Sequence, residues 1–573
     1  MRWGVSVALL LVAGPASAFP LGTPSMAVGP TGSDIKVETA FEGLPPTGYL
    51  PVRVSITNRG TRPAEHRVEL SCTITGIRGS RREDEHAITV PAQASLTQDL
   101  LAPLPPQARQ GYGGWANCNV VVIGPEGRRS FSSSGRIPGA MDADRPTVGF
   151  AYDLPEPDKC LAGAVPKEVH VIRVDPSLMP GEWRGFLGLD ALWMRQYDLR
   201  YLSPEARVAL VQWVAQGGAL VVVGQLEDGE VQAPLPGFPF TKADFELRRF
   251  GLGHLEVLGA DEGGQDITDL LSSLRARVLV SEHPRRGAAL QRHVALERWM
   301  ERVQVRRPLI VAFLVVFWLL MGPVNFFLLA PKARRVRLLV TTPVLGVAAS
   351  LALVMLILLQ DGVGGAGRRA QVVLLMPRLN AAMRGQAQLS NTGLIVSGAF
   401  PLPASVHLAG LVQDEEERQD LERRGDRASG DWFRTRTTQG QWLQELAPAR
   451  ERVERVEPAT EDAPPVLVSS LGYPLEAFFY TDHLGRLWGG EGLAPGATAR
   501  LAPLEQVEPW FATAVERYPG PMQDALRTRL PAKGWLVGKV LKGPAPWPTH
   551  PAVAFDDEPG LVVVEVVPPG EGS

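Results

Sequence analysis

Few residue patterns in this chain have the spacing that chemistry requires. The run Gly362-Val363-Gly364-Gly365-Ala366-Gly367 fits G-x-G-x-x-G, but a dinucleotide site needs a strand before the run and a helix after it. Here a long apolar segment precedes the run, and a strand-like segment follows it. We therefore predict that these glycines form a flexible linker.

Candidate metal ligands and catalytic motifs are equally sparse. The nine histidines are scattered, without the H-E-x-x-H spacing of a zinc site. Asp482-His483 and Asp556-Asp557-Glu558 could contact a cation, but solvated turns explain them as well. The sequence also lacks G-x-S-x-G and G-x-x-x-x-G-K-S/T, which are the minimum parts of common hydrolase and ATPase sites. We predict no metal, no cofactor and no catalytic residue.

Two of the three cysteines are placed to form a disulfide. Cys72 lies in a stretch of alternating apolar residues, and Cys118 alternates in the same way with Val120 and Val122. Alternation places both cysteines on the buried face of strands. Two inward cysteines in one β-domain can pair in an oxidising compartment. We therefore predict a disulfide between Cys72 and Cys118, which leaves Cys160 over.

The strands that carry these cysteines belong to an all-β region. Within residues 33–140, short alternating stretches such as Val52, Val54 and Ile56 are separated by turns such as Asn58-Arg59-Gly60. Short strands with this pattern are typical of β-sandwiches. We predict an Ig-like β-sandwich over 33–140.

Residues 145–290 change to an alternation of strands and helices. Ser203-Pro204-Glu205 supplies the N-cap, the first-turn proline and the acid of a helix start, and Gly217-Gly218 ends that helix. The apolar run Ala219–Gly224 that follows is typical of a buried parallel strand. The sequence therefore predicts a flavodoxin-like α/β domain over 145–290.

Two apolar segments, 309–330 and 338–359, have the length of membrane spans. Each is uncharged over about 20 residues, which at 1.5 Å per residue cross a hydrocarbon core of about 30 Å. Asn325 is polar within the first span and is expected to form a hydrogen bond across the hairpin. The loop 331–337 carries four basic residues: Lys332, Arg334, Arg335 and Arg337.

The N-terminus predicts which side of the membrane the large parts face. Residues 1–18 combine Arg2, an apolar core and Ala16-Ser17-Ala18, as in a secretory signal peptide. Residues 19–307 then lie outside the cytoplasm, and the basic loop lies inside. We predict a multi-pass protein of the bacterial inner membrane with both large parts extracytoplasmic. An uncleaved N-terminal anchor is the alternative.

The chain returns to β patterning after the second span. Residues 370–567 contain repeated strand-like stretches and are predicted to form an extracytoplasmic, mainly-β domain, with a helix over 509–530. The charged run 414–427 is predicted to be a solvated loop or the tip of a hairpin.

Two parts of the sequence resemble known proteins. The segment 199–224, with Trp213-Val214-Ala215-Gln216-Gly217-Gly218-Ala219, resembles the class I glutamine amidotransferase-like α/β domain. Gly322-Pro323-Val324-Asn325-Phe326 and the basic loop are similar to the hairpin of uncharacterised bacterial membrane proteins that carry a signal peptide, a β-domain and such an α/β domain. The resemblance covers roughly 145–360 and implies an extracytoplasmic fold without an established activity.

The catalytic part of the amidotransferase pattern is missing from this sequence. An active member needs a cysteine on a tight strand-to-helix turn and a histidine downstream. No cysteine follows Ala219–Gly224, no such turn surrounds Cys160, and His254 and His283 have no matching nucleophile. We predict a catalytically degenerate domain.

The net charge argues against one class of function. The formal net charge is −3, so there is no electrostatic case for nucleic-acid binding. The sequence favours a non-enzymatic protein, anchored in the bilayer, whose two extracytoplasmic parts bind an envelope or membrane protein. Two alternatives stay open: a small-molecule or glycan sensor or weak hydrolase that uses the α/β domain, and an accessory subunit of a transporter.

Overall fold

A computed structural model of the chain describes most of the residues between 33 and 567. The described ranges are 33–75, 80–105, 115–136, 146–151, 170–224, 238–246, 249–259, 307–329, 332–361, 364–412, 419–456, 463–530 and 532–567. The predicted signal peptide at 1–18, Cys160 and His283 lie outside these ranges, as do parts of the predicted linker and of the charged run 414–427.

The first region is a pair of packed antiparallel sheets. Its strands are β1 (Ser33–Thr39), β2 (Phe41–Glu42), β3 (Tyr49–Asn58), β4 (Ala64–Thr75), β5 (Ser80–Val90), β6 (Ala94–Pro103), β7 (Trp115–Gly124) and β8 (Gly127–Arg136). One sheet has the order β1-β3-β6, and the other contains β5-β4-β7-β8. Val52, Val54 and Ile56 are buried between the sheets, so the alternation in β3 indicates the core face correctly.

The second region is a parallel sheet with helices. Its strands are β9 (Thr147–Ala151), β10 (His170–Val174), β11 (Ala191–Arg195), β12 (Ala219–Gly224) and β13 (His254–Gly259), and its helices are α1 (Pro204–Ala215) and α2 (Lys242–Glu246). The five strands are parallel in the order β10-β9-β11-β12-β13. The predicted start of α1 is confirmed, because the Ala206 amide donates to Ser203 Oγ at 3.1 Å.

Two apolar helices follow, connected by a short turn. The first comprises α3 (Arg307–Leu319) and π-helical turns over Leu320–Leu329, a 3₁₀ segment covers Lys332–Arg337, and α4 is Leu338–Asp361. Proline cannot donate the hydrogen bond of a regular α-helix, and Pro323 lies in the part that changes to π-helical turns.

Length and composition allow both helices to cross a membrane. The candidate spans are Val311–Leu329 and Arg335–Met355, each with a mean hydropathy of 2.2, and only 6% and 0% of their residues are buried. Apolar helices this exposed suit a lipid environment better than water. The predicted hydrogen bond across the hairpin is confirmed, because Asn325 Nδ2 donates to Thr342 Oγ1 at 3.0 Å.

The chain after the hairpin is mostly β. Its strands are β14 (Gly365–Met376), β15 (Ala381–Thr392), β16 (Phe400–Pro401), β17 (His407–Val412), β18 (Gln419–Arg424), β19 (Arg427–Gly430), β20 (Thr438–Pro448), β21 (Val453–Val456), β22 (Val466–Ser469), β23 (Leu475–Thr481), β24 (Leu487–Leu493), β25 (Thr498–Arg500), β26 (Ala502–Pro503), β27 (Trp535–Val540), β28 (Val553–Asp557) and β29 (Gly560–Glu565). Nine of them form one sheet path, β17-β20-β15-β14-β29-β27-β23-β24-β26, with β28 paired to β14, and β21-β22-β25 form a small sheet.

Two local predictions for this region need correction. Gly365–Gly367 of the glycine run begin β14 rather than a linker, and Gly364 takes a positive φ of 89° where the Ala552 carbonyl leaves no room for a Cβ. The helix predicted over 509–530 is two helices, α5 (Pro509–Val515) and α6 (Gly520–Arg529). Pro519 separates them, because the residue before a proline avoids helical geometry.

A strand that precedes the hairpin in sequence and a strand that follows it belong to the same sheet. β18 pairs in parallel with β5, which gives the order β16-β19-β18-β5-β4-β7-β8. Part of the charged run 414–427 therefore forms the strand hairpin β18-β19 on the first region. β2 in turn pairs with β10, which connects the first region to the α/β region.

Side chains join the same regions at further points. Arg378 Nη1 and Nη2 donate to the Asp244 carboxylate at 3.0 and 2.9 Å, and Gln444 Nε2 donates to Gln216 Oε1 at 2.6 Å. The residues described before and after the hairpin thus form one connected body. The predicted β-rich, multidomain architecture with two apolar helices is confirmed at this level.

Candidate functional site

The structure brings the two predicted disulfide cysteines together. Cys72 in β4 and Cys118 in β7 are directly opposite in register, and their sulfur atoms form a disulfide. Both side chains are buried in the core of the first region. The bridge joins neighbouring strands of one sheet, whereas the conserved disulfide of antibody domains connects the two sheets.

The four predicted loop charges lie between the two apolar helices. Lys332, Arg334, Arg335 and Arg337 all fall within the 3₁₀ segment. Arg335 and Arg337 are exposed, and the Arg335 guanidinium lies 5.6 Å from the centre of the Phe326 ring. The basic segment therefore marks one end of the helix pair.

The acidic residues considered as possible cation ligands, at 482 and 556–558, form hydrogen bonds and ion pairs within the protein. Asp482 accepts from Trp488 Nε1 at 2.9 Å and pairs with Arg486 at 2.7 Å. Asp557 and Glu558 pair with Arg369 and Arg368. Among the described residues, no group of histidine, cysteine or acidic side chains is arranged to hold a metal ion.

The buried His254 lies at the amino end of β13, the last strand of the parallel sheet. Ligands of such sheets bind at the carboxyl ends of the strands, but His254 is the first residue of β13. It lies 2.8 Å from Glu256 Oε2, and both side chains are buried. His254 therefore does not face the crevice end of this sheet.

A cavity of about 240 Å³ opens where the three regions meet. We call it the junction cavity. The α/β region contributes Glu182 and Arg184, and the chain after the hairpin contributes residues between 404 and 432. The first region contributes Tyr49, residues 82–84, His86, residues 98–101 and Pro103. The cavity depends on the strand pairing across the hairpin, because β5 and β18 form its wall.

The wall carries a row of side chains on one face of the shared sheet. Cys72 is opposite Arg82, and Arg82 is opposite Leu421. Directly paired residues share a face of a sheet, so Arg82 and Leu421 lie on the same inner face as the disulfide. Arg423 and Asp84 form the next pair along that face. Two guanidinium groups thus enter the cavity from neighbouring strands.

A third guanidinium comes from the α/β region. Arg184 forms an ion pair with Glu182 and donates from Nη1 to the Ala404 carbonyl at 2.8 Å. Burial opposes its charge, but the attraction of Glu182 keeps the Arg184 pKa above its ordinary value. Arg184 therefore fixes the α/β region against the chain after the hairpin at the edge of the cavity.

Arg423 is held by hydrogen bonds to backbone carbonyls. Its guanidinium donates to the carbonyls of Val406 at 2.6 Å, of Pro403, and of Gly425 at 3.5 Å, and it forms no ion pair with any described carboxylate. Burial, together with the repulsion of Arg184, lowers the Arg423 pKa. The attraction of Asp84 and Glu182 acts in the opposite direction.

Trp432 lies beside these groups in the lining of the cavity. The indole is buried, and its Nε1–H has no acceptor among the described residues. Arg82 lies 5.8 Å from the centre of this ring. The backbone carbonyl of Trp432 accepts from Gln441 Nε2 at 2.7 Å, which holds the backbone at this position.

The described lining of the cavity combines three guanidinium groups with five carboxylates. Arg82, Arg184 and Arg423 act together on His407, while Asp84 and Glu182 are the carboxylates that act on Arg184 and Arg423. The other three lining acids have partners of their own: Asp99 pairs with Arg53, Glu83 with Arg81 and Glu422 with Arg424.

His407 closes the inner end of this cluster. Its Nδ1 lies 3.0 Å from the Tyr49 hydroxyl, which joins the chain after the hairpin to the first region. Burial lowers the pKa of His407 well below its ordinary value of 6.5, and the nearby Arg184, Arg82 and Arg423 lower it further. The imidazole is therefore neutral in the folded state at neutral pH.

This histidine predicts a pH dependence of the junction. Because its folded pKa is depressed, the stability that it contributes is present above the unfolded pKa and is lost as the pH falls below about 6.5. We expect acidification from about pH 7.5 to pH 5.5 to lower the unfolding temperature more in the native chain than in His407→Gln. The exposed His483→Gln is the matched control and should retain the native pH dependence. Equal pH profiles for the native chain and His407→Gln would contradict the assignment.

Sequence reasoning missed most residues of this cavity. Arg82 and Arg423 lie in charged stretches that are typical of solvated surfaces, and Trp432 has no partner at a recognisable spacing. A weak signal was present in β18, because Leu421 is apolar within a charged run and so suggests a strand with one buried face. Nothing local indicates that its partner strand is β5.

Comparisons with known proteins add no family. No family model matches the chain, and no curated protein matches it. Similar solved structures include red sea bream transglutaminase (13% identity, 18% of this chain and 16% of that chain, TM-score 0.13), Spo0M from Bacillus subtilis (10%, 20% and 54%, 0.14) and the yeast delta-COP mu-homology domain with a Dsl1 peptide (8%, 36% and 98%, 0.19). At these TM-scores the likenesses carry no argument about fold or function.

Proposed function

We propose that this chain is a non-enzymatic binding protein of the bacterial envelope. A two-helix hairpin anchors it in the inner membrane, and the parts before and after the hairpin form one extracytoplasmic body that binds an envelope or membrane protein. The observation that carries the proposal is the parallel pairing of β18 with β5. Because these strands lie on opposite sides of the hairpin in sequence, their pairing requires both parts to lie on one side of the bilayer.

The disulfide supports the extracytoplasmic side. Structural disulfides persist in oxidising compartments and are rare in the cytosol, and Cys72 and Cys118 form one in the core. The basic segment Lys332–Arg337 lies at the opposite end of the hairpin, where the positive-inside rule places the cytoplasm. Both features agree with a signal peptide at 1–18.

We also propose the finer domain assignments of the body. The order β10-β9-β11-β12-β13 corresponds to 2-1-3-4-5 in chain order, the order of flavodoxin-like sheets, and supports a degenerate amidotransferase-like domain. The two packed antiparallel sheets of the first region support an Ig-like sandwich, in which the disulfide lies within one sheet.

A surface of the α/β region fits a protein partner. Tyr197 and Tyr201 are 54% and 52% exposed, their hydroxyls lie 2.7 Å apart, and Val208 in α1 is 56% exposed. Tyrosine is enriched at protein interfaces because it offers a large amphipathic surface at low entropic cost. We propose that the partner contacts this surface.

The topology is tested by cross-linking in whole cells. In a Cys160→Ala background, the pair Glu83→Cys and Glu422→Cys should form a disulfide, because these residues are opposite each other in β5 and β18. Glu83→Cys with Glu505→Cys is the matched control and should not cross-link. Labelling of Ala333→Cys by an impermeant reagent added outside would overturn the proposed orientation.

Partner binding is tested by affinity purification of the full chain in mild detergent. We expect a specific membrane or envelope protein to be recovered with the native chain and to be lost with Tyr197→Ser/Tyr201→Ser. A preparation that repeatedly recovers no specific protein, with the body intact by the cross-link above, would reject protein-partner binding.

A second candidate function is a small-molecule sensor, which the junction cavity favours. The cavity is concave and combines apolar side chains with convergent charged groups, and concave pockets with convergent polar groups are typical of ligand sites. In this version the ligand binds where the three regions meet rather than at the crevice of the α/β sheet.

A further inference from the structure

We propose that the segment Leu394-Ile395-Val396, which we call the apolar loop, enters the surface of the bilayer that the hairpin crosses. The partner of this surface is therefore lipid, and the contact is a second attachment of the body beside the two apolar helices. It rests on the membrane anchoring proposed above and goes further, because it assigns a lipid contact to the folded body itself.

The apolar loop exposes two apolar side chains. Val396 is 87% exposed, more than any other large apolar side chain in the described ranges, and Leu394 is 37% exposed. Ile395 between them is partly buried and packs against the cluster that contains Phe400 and Phe433. The middle residue thus faces the body while its two neighbours face outward. Apolar side chains in this position are stabilised when a membrane surface covers them.

Hydrogen bonds attach the apolar loop to the chain that leaves the second span. The Gly364 amide donates to the Leu394 carbonyl at 2.9 Å, and the Gly393 amide donates to the Gly364 carbonyl at 2.6 Å. Gly364 follows Asp361, the last residue of α4, by three residues, and three residues span at most about 11 Å. The apolar loop is therefore held next to the point where α4 leaves the bilayer.

The backbone of the apolar loop is suited to a medium with little water. The Ile395 amide donates to Thr435 Oγ1 at 3.2 Å, and the Thr435 hydroxyl donates to the Ile395 carbonyl at 3.3 Å. The Gly393 carbonyl accepts from the Arg436 amide at 3.0 Å. Unpaired backbone groups are costly within a bilayer, and these bonds lower that cost. They also hold the loop in one position against the body.

The opposite end of the same sheet provides a reference position. Strand register aligns four residues there: Leu375, Val564, Leu536 and Tyr480. Leu375 is ten residues from Gly365 along β14, which is about 33 Å at the rise of a strand. The turn that follows β23 contains Leu484, which is 50% exposed. Leu484 is therefore an exposed apolar residue at the end of the sheet that lies away from α4.

Quenching by nitroxide lipids tests the contact on the full chain in phosphatidylcholine vesicles. In a Cys160→Ala background, in which the other two cysteines form the disulfide, bimane is attached to Val396→Cys, Leu484→Cys or Val354→Cys. Val354 lies within the second candidate span. We expect lipids with a nitroxide on the acyl chain near the headgroup to remove most of the emission at 396 and 354, and little at 484. Emission at 396 should also lie at a shorter wavelength than at 484.

Matched charge variants locate the contact to the apolar loop. Leu394→Asp, added to the chain with Val396→Cys, should restore most of the quenched emission, because a carboxylate is excluded from the apolar part of a bilayer. Leu484→Asp in the same background should leave the quenching unchanged. The Glu83→Cys/Glu422→Cys cross-link, formed in a separate chain that carries Leu394→Asp, reports whether the body is intact.

Three outcomes would overturn the inference. Quenching at 354 without quenching at 396 would reject the lipid contact while the anchoring stands, and would leave the apolar loop to a protein partner. A lack of quenching at both positions would reject the proposed anchoring itself. Equal quenching at 396 and 484, or an equal response to Leu394→Asp and Leu484→Asp, would show that the contact is not specific to this loop.

Discussion

Replacing Arg378 by methionine is expected to destabilise the contact between the α/β region and the chain after the hairpin by about 3 kcal/mol. Asp244 is 8% exposed and accepts two bonds from Arg378 and two from Thr241, one from its amide and one from its hydroxyl. Methionine would leave this carboxylate buried without its cation. Removal of one partner of a buried pair costs about 3–5 kcal/mol, and the lower end applies because Arg378 is 33% exposed.

Asp244→Asn should cost less than Arg378→Met. Arg378 retains a second acid, Glu565, at 2.9 Å, and its ring contact with Phe250 at 5.0 Å. The double variant should cost less than the sum of the single variants, since the two residues share one interaction. Burial opposes the Arg378 charge, but the hydrogen bond with Asp244 and the attraction of Glu565 raise its pKa, so the guanidinium stays charged throughout these measurements.

Hydrogen exchange of the full chain in micelles measures the effect locally. A loss of about 3 kcal/mol corresponds to about a hundredfold faster exchange of peptides from α2 and β14. Lys539→Met is the matched control, because Lys539 pairs with Glu476 at 2.8 Å within the chain after the hairpin and crosses no region boundary. It should change stability by less than about 1 kcal/mol. Equal effects of Arg378→Met and Lys539→Met would show that the interface does not depend on this pair.

Features set by neighbouring residues could be predicted from the sequence. The cap of α1 needs only Ser203 and the amide of Ala206, and the burial of Cys72 and Cys118 follows from alternation within each strand. The hydrogen bond of Asn325 follows because a polar side chain in an apolar hairpin has few other partners. In each case a short window contains the atoms that decide the outcome.

Features set by distant residues could not be predicted. β18 contains a single apolar residue, Leu421, in the sequence Gln-Asp-Leu-Glu-Arg-Arg, and its partner β5 is also highly charged. Charge patterns do not specify which strand pairs with which, because the backbone supplies the hydrogen bonds of the ladder. The junction cavity depends on this pairing and on Arg184 from a third region, so its residues could not be grouped by any local pattern.

The regional boundaries were likewise harder to predict than the regions. β2 belongs in sequence to the first region but pairs with β10 of the α/β sheet, and β18 joins the sheet of β5. Edge strands with unpaired backbone groups accept such additions readily. The three regions therefore exchange strands at their edges, and one cluster of buried apolar side chains runs through all three.

Removal of the disulfide by Cys72→Ala/Cys118→Ala is expected to destabilise the first region by about 4 kcal/mol. The two cysteines are separated by 46 residues, and cross-linking a loop of this length removes about that much conformational entropy from the unfolded chain. Exchange of β4 and β7 peptides should therefore rise by about a thousandfold. Ser71→Ala, at the neighbouring position on the other face of β4, is the matched control and should change exchange little.

The same variant separates the role of the disulfide from that of the side chains. Reduction of the native chain should reproduce the loss seen in Cys72→Ala/Cys118→Ala, and reduction of the variant should change nothing further. Because Cys72 is opposite Arg82 and Arg82 is opposite Leu421, weakening of this row should also loosen the wall of the junction cavity, while the hairpin and the Arg378–Asp244 contact remain. An oxidising compartment would then be needed for the full stability of the first region. Unchanged exchange on reduction would show that the bridge adds nothing to the sheet, and would remove the support that it gives to the extracytoplasmic assignment.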